Sequence, residues 1–179
     1  AARVWKDHDP AFSARCLQAA QSAWEAARKH PVTLYRGGFD TGGGAYDDDR
    51  VDDDFYWAAV ELYLSTGEPR YRPTIDSYTP TRSDLNWAHT ELAGLMSLAT
   101  VVTPATVGLR TAAQRSVHSL ADQYLATQQI SGYGTPLAVS EYAWGSNNAV
   151  TNKLMVMGLA YHFSQDRKYL QGVTRGMDY

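Results

Sequence analysis

The 179 residues carry 16 Lys and Arg against 19 Asp and Glu, a net charge of −3, with 44% hydrophobic and 12% aromatic residues, the composition of a globular chain. One cysteine cannot build a disulfide framework or a common zinc site, and no run of about 18 apolar residues is present to span a membrane. The absence of a basic stripe argues against nucleic acid as a partner.

The charge is concentrated in one place. Six of the aspartates lie in the octet Asp47-Asp48-Asp49-Arg50-Val51-Asp52-Asp53-Asp54, which sums to −5 and leaves the other 171 residues at +2. Carboxylates packed this closely repel one another by roughly 1 kcal/mol per close pair at a surface, unless a cation, a helix N-terminus or an arginine offsets them.

In chain order, apolar residues at Phe12, Cys16, Ala19, Ala20, Ala23, Trp24 and Ala27 have the spacing of a one-sided helix over Pro10 to His30, ended by Pro31. Cys16 on that stripe is expected in the core. The stretch from Pro31 to Asp54 is rich in Gly and Asp and reads as a long surface loop. Asp52 to Asp54 then open a helix over Phe55 to Ser65, with Phe55, Ala58, Ala59, Leu62 and Thr66 on its buried face and Trp57 expected in the core; Thr66-Gly67 closes it. Further helices are expected from Leu85 to about Thr100, Ala105 to Gln128, Asn147 to Ser164 and Arg167 onward. No stretch alternates like a strand, so the class is all-α.

A weak repeat supports helix hairpins. Leu62-Tyr63-Leu64-Ser65-Thr66-Gly67-Glu68-Pro69-Arg70-Tyr71 and Leu159 to Tyr169 each end a helix, turn, and place a tyrosine three positions after an acidic residue. An acid capping the next helix, with the tyrosine packed under the turn, suits an antiparallel corner. The separation of 98 positions from Tyr71 to Tyr169 would hold two hairpins, the pitch of a helical solenoid or a closed barrel. Arg3-Val4-Trp5 opens without an initiator methionine or signal peptide, and Leu170 to Tyr179 stays periodic to the last residue, as expected of an excerpt from a longer domain.

Two loops carry candidate chemistry. One is Gly42-Gly43-Gly44-Ala45-Tyr46 with the octet behind it; the other is Tyr142-Ala143-Trp144-Gly145-Ser146-Asn147-Asn148. A ring held by a loop at a helix start can stack on a sugar face while neighbouring Asn, Ser and Asp take hydroxyls. The octet fails as an EF-hand loop, because its sixth position is Asp52 where glycine is needed and its twelfth is Ala58 where glutamate is needed. Two readings stay open: a solvated acidic helix start, or an irregular calcium site drawing on Asp48, Asp49, Asp53 and Asp54. Glu141 reads as a cap or surface residue, and His89 and His118 as partnered residues on helices. No HExxH, G-x-S-x-G or phosphate loop is present.

Gly43-Gly44-Ala45-Tyr46 followed by Asp53-Asp54-Phe55-Tyr56-Trp57-Ala58-Ala59-Val60-Glu61-Leu62-Tyr63-Leu64-Ser65-Thr66-Gly67 resembles the GAY…DEFYWAAAELYLTTG segment of glycoside hydrolase family nine. Trp144-Gly145-Ser146-Asn147-Asn148, Asn152-Lys153 and Tyr169 to Tyr179 resemble that family's WGSN…N and Y…G…YLLGRNP region. The resemblance covers nearly the whole chain and implies part of an (α/α)6 barrel: a fragment, residues 1–179, of one catalytic domain that lacks its N- and C-terminal parts and docks on the rest of that domain. It further implies inverting hydrolysis of β-1,4-glucosidic bonds in cellulose or related β-glucans by a secreted or periplasmic enzyme. The family's DAGD-type base motif and its C-terminal glutamate acid are not in this sequence, so no catalytic residue is assigned and the 179 residues alone are expected to be inactive. The octet matches the family's calcium segment, with Asp53 and Asp54 at its acidic pair and Asp48 or Asp49 upstream. Trp144 matches a tryptophan that floors the sugar subsites and Tyr46 a tyrosine at the cleft. Where some members carry WDD, this chain has Trp87-Ala88-His89. Two alternatives are an exo-acting glycosidase such as a glucosaminidase on the same scaffold, and a non-catalytic helical-repeat module docking a basic partner through the octet.

Overall fold

The computed structural model describes residues 1–34, 47–81, 83–143 and 145–179. Among these the chain is helical, with one isolated bridge between Asn86 and His89 and no single helix long and apolar enough to cross a membrane. It divides into two compact units, Ala1–Pro80 and Thr81–Tyr179.

The first unit contains α1 (Ala2–Trp5), α2 (Pro10–Lys29), α3 (Asp52–Thr66), a 3₁₀ turn (Pro69–Tyr71) and α4 (Arg72–Ser77). Asp9 caps α2 by accepting from the Phe12 amide at 2.8 Å, with Pro10 supplying the first helical position. Arg3 ties α1 to α3, its guanidinium reaching the Glu61 carbonyl at 3.0 Å, the Glu61 carboxylate at 2.5 Å and Ser65 Oγ at 2.8 Å. The core is aromatic. Trp24 meets Phe55 and Tyr71 edge-on at 5.6 and 5.5 Å, and Tyr56 stacks on Tyr78 at 4.7 Å.

Two expectations change in this unit. On α2 the expected stripe buries Trp24 alone; Cys16, Ala20, Ala23 and Ala27 line a groove of about 900 Å³ that α1 and α3 also flank. On α3 the buried set is Asp53, Tyr56, Ala59, Val60, Leu62, Tyr63 and Leu64, covering more than one face, so Ala58 lies outside and Trp57 is 39% exposed. The Trp57 indole N–H is carried toward Glu61 Oε1 at 3.2 Å, four residues on, a polar partner that favours the helix surface.

The second unit contains α5 (Glu91–Thr100), a 3₁₀ turn (Pro104–Thr106), α6 (Val107–Ile130), a 3₁₀ turn (Val139–Glu141), α7 (Ser146–Ser164) and α8 (Arg167–Met177). The axis turns by 119° between α5 and α6. Leu92, Leu95, Leu98, Val117, Ala121, Leu154, Val156, Met157 and Ala160 form the core. The expected helix from Leu85 begins only at Glu91. Residues 85–90 instead form a turn, because the Asn86 carboxamide accepts from the Ala88 amide at 2.8 Å and donates to Asp84 at 2.8 Å, local bonds that compete with a helix. His89 therefore sits in a turn and not on a helix.

The corner deduced from the repeat is present in both units. α3 ends at Gly67 and α7 at Gln165, both in the left-handed conformation with φ of 71° and 58°, and Tyr71 and Tyr169 are 0% and 3% exposed. Asp166 caps α8 through the Lys168 amide at 3.0 Å; Glu68 does not cap but bonds Gln21 at 3.0 Å on α2. Gly172 and Gly176 let α8 approach its neighbours closely. A Cβ at Gly172 would overlap Met157 Cε and Leu125 Cδ2, and one at Gly176 would press on Leu154, while the Gln128 amide donates to the Gly172 carbonyl at 2.9 Å. Gly172→Ala is expected to destabilise the fold by about 1–3 kcal/mol, the usual penalty of overpacking a core, measured as a lower urea midpoint with unchanged m-value.

Candidate functional site

The polar loops of the chain precede α3, α5 and α7, where each helix leaves backbone N–H groups open. Before α3 the octet folds back on its own arginine. Arg50 grips Asp52 with two bonds at 2.9 and 2.7 Å, and this guanidinium holds the Asp52 carboxyl below its ordinary value. Asp48 accepts from the Arg50 amide at 3.0 Å. Asp52, Asp53 and Asp54 occupy the first turn of α3, a position that favours negative charge.

Of the expected metal residues, the fold gathers Asp48, Asp53 and Asp54: one oxygen from each lies within 4.8 Å of the others. Two oxygens on opposite sides of one ion at about 2.4 Å would be separated by about that distance, so the trio fits a single divalent cation with hard oxygen ligands. Asp53 is 2% exposed, deep for a carboxylate. Asp49 is exposed and lies outside the trio. Tyr46 and Trp144, the two expected sugar contacts, lie outside the described residues.

The loops before α5 and α7 are tied to the helices of their unit. The Glu91 carboxylate, 1% exposed, accepts from the Thr81 amide at 2.7 Å. The Tyr124 hydroxyl on α6 donates to the Ser83 carbonyl at 2.5 Å, and the Asn152 amide on α7 donates to the Leu85 carbonyl at 2.7 Å. Burial pushes the Tyr124 phenol upward, with Glu141 and Asp84 adding to the shift, so it stays a donor at neutral pH. Before α7, Thr135 and Tyr142 join through their hydroxyls, and the fully buried Thr135 and the 2% exposed Leu137 anchor this loop.

Glu141 acts as the cap read from the sequence and as something more. Its carboxylate accepts from the Ala138 amide at 2.7 Å and pairs with Lys153 Nζ at 2.5 Å. Lys153 is 5% exposed and lies 5.1 Å from the centre of the Tyr124 ring. Sequence reading missed this pair because a lysine on a helix is ordinarily a solvated one; only its place on the same helical face as the buried Val150, Leu154 and Met157 signals burial.

The family model for glycosyl hydrolase family 9 matches residues 1–179 in full. The chain belongs to glycosyl hydrolase family 9. It is 37% identical to the cellulose 1,4-beta-cellobiosidase of Acetivibrio thermocellus and 37% identical to endoglucanase C of Cellulomonas fimi, with 99% of the chain aligned in each case. It spans 23% and 17% of the length of those relatives. A metagenome-derived family 9 endoglucanase superposes with a TM-score of 0.89 at 28% identity, covering 99% of this chain and 33% of that one. The all-α hairpins are thus part of the (α/α)6 barrel of this family, as the resemblance implied.

Removing one partner of a buried ion pair strands the other charge. Glu141→Ala is expected to cost about 2–3 kcal/mol, somewhat less than breaking a fully buried pair, because the carboxylate is partly solvated. In a double-mutant cycle, adding Lys153→Met should recover most of that loss, read by urea unfolding. Independent, additive losses would show that the pair is not coupled.

Proposed function

We propose that the protein carrying this chain is a secreted or periplasmic glycoside hydrolase that cleaves β-1,4-glucosidic bonds of cellulose or related β-glucans with inversion. The observation that carries the reading is the family match across all 179 residues, supported by relatives named as a cellobiosidase and an endoglucanase. The chain forms a central portion of the catalytic domain and works against the remainder of that domain. An inverting site needs two carboxyl groups roughly 6.5–9.5 Å apart with a water between them; in this proposal neither comes from residues 1–179. What these residues contribute is binding and support: Tyr46 and Trp144 contact the sugar.

The Asp48, Asp53 and Asp54 trio binds calcium in this reading, with Asp49 adjacent. Calcium suits a site built of carboxylate oxygens, and its positive charge would offset the repulsion among three converging carboxylates. The ion would brace the start of α3 and the segment leading into it; it takes no part in bond cleavage.

Two measurements separate these statements. The complete catalytic domain is expected to release reducing sugar of inverted anomeric configuration from a soluble cellulose derivative, while the 179-residue chain by itself releases none. Hydrolysis by the isolated chain, or no hydrolysis of any β-1,4-glucan by the complete domain, would overturn the reading. For the metal, calcium at about a hundred times its dissociation constant should stabilise the protein by about 2.7 kcal/mol, lost in chelator. Asp53→Asn should abolish the difference in melting temperature; equal melting in calcium and chelator would leave the trio as an acidic helix start.

A further inference from the structure

The Glu141 carboxylate serves both sides of the loop before α7. Its Oε2 accepts from the Ala138 amide at 2.7 Å, where the loop begins, and its Oε1 pairs with Lys153 Nζ at 2.5 Å, about two turns into the helix that follows. Between these anchors the chain is short and closed. The Ala143 amide donates to the Glu141 carbonyl at 2.9 Å and the Ser146 amide to the Ala143 carbonyl at 3.1 Å. Gly145 takes the left-handed φ of 78° that leads into α7, and the Tyr142 hydroxyl is joined to the fully buried Thr135. Trp144 lies between these bonds in the sequence. Lys153 also sits 5.1 Å from the centre of the Tyr124 ring, whose hydroxyl holds the Ser83 carbonyl. One ammonium group thus joins α6, α7 and the loop.

Stability alone does not call for a lysine here. Burying an ion pair costs desolvation that its attraction roughly offsets, and an apolar pair of similar volume often serves a fold as well. Val150, Leu154 and Met157 are buried on the same helix, and a methionine at position 153 would extend that surface. What an apolar side chain does not supply is direction. A carboxylate held at both oxygens by donors on two elements has one orientation, whereas a flexible apolar chain repacks in several. We infer that Glu141 and Lys153 are positioning residues for glucan binding, holding the loop before α7 in the arrangement in which Trp144 meets a sugar ring. The inference rests on the reading above that Trp144 contacts the glucan. A loop that is already ordered loses little conformational freedom when a sugar docks, so its preorganisation is expressed as affinity.

The test uses the complete catalytic domain and reads KM for cellohexaose. Glu141→Gln keeps the shape of the side chain and removes its charge. It is expected to raise KM roughly two- to tenfold, the range of one aromatic stacking contact, with kcat changed less than about twofold because the contact is the same in ground and transition states. The double variant Glu141→Ala with Lys153→Met, in which most of the stability returns, should keep the raised KM; recovery of the wild-type KM together with stability would mean a merely structural pair and overturns the inference. Action through Trp144 also makes the effects non-additive. In a domain carrying Trp144→Ala, adding Glu141→Gln should raise KM no further, and a second rise of the same factor overturns the inference. An unchanged KM for Glu141→Gln, where Trp144→Ala raises it, removes the positioning role and leaves the glucanase reading standing. An unchanged KM for Trp144→Ala removes the sugar contact and the positioning role with it, and a wild-type domain without activity on any β-1,4-glucan overturns the glucanase reading as well.

Discussion

The reversal after a long helix is the constraint that organises both units. α3 and α7 each stop at a left-handed residue, turn through a few polar positions, and drive a tyrosine under the corner, with Tyr71 and Tyr169 almost fully buried. A buried phenol must find a polar partner: the Tyr71 hydroxyl takes Arg70 at 2.7 Å and the Tyr169 hydroxyl takes Asp122 at 3.0 Å. These corners are short and closed, and their residues are committed to packing. Within each unit the opposite ends of the same helices are therefore where longer polar loops can grow, and there the octet, the Trp87 turn and the Glu141 loop are found. Tight packing is concentrated at one end of each hairpin and longer polar loops at the other.

The corners were legible because their signal is local: an acid, a tyrosine three residues on, and a preceding helical period. The longer helices followed from apolar spacing, with ends displaced by a residue or two at α6 and α7, whereas the short α1 and α4 were not expected. The error at residues 85–90 has a definite source. Leu85, Ala88 and Leu92 fall at helical spacing, yet Asp84, Asn86 and His89 satisfy one another and the backbone through side chains, and such bonds win where a helix would have had to start anyway. Trp57 and the α2 stripe were misjudged for a different reason: period tells which residues share a face, but not what that face meets. Here α2's apolar residues line a groove and α3 is buried on more than one side.

The site was legible as a charge and not as a geometry. Counting aspartates finds the octet, but the sorting within it depends on Arg50, which takes Asp52 and leaves Asp48, Asp53 and Asp54 to converge. Position in the helix decides the rest. Asp53 is turned to the inside of α3 while Asp52 and Asp54 stay exposed, so the three consecutive aspartates have three different environments. Glu141 shows the same limit from the other direction, since nothing in its neighbours in sequence announces Lys153, twelve residues away and one helix later.

The two kinds of buried charge in this chain are balanced differently. Lys153 carries its counter-charge on a side chain, at 2.5 Å and with an aromatic ring beside it, so its desolvation is offset by groups that the fold supplies. Asp53 is as deeply buried, and the carboxylates of Asp48 and Asp54 converge on it. A helix N-terminus contributes about half a positive charge, too little to neutralise three converging anions. An internal ion pair supplies its own counter-charge, whereas the stability of converging carboxylates depends more strongly on the cations and pH of the solution. Within one chain, the loop before α7 carries its own counter-charge, and the start of α3 gathers three carboxylates whose spacing fits one divalent cation.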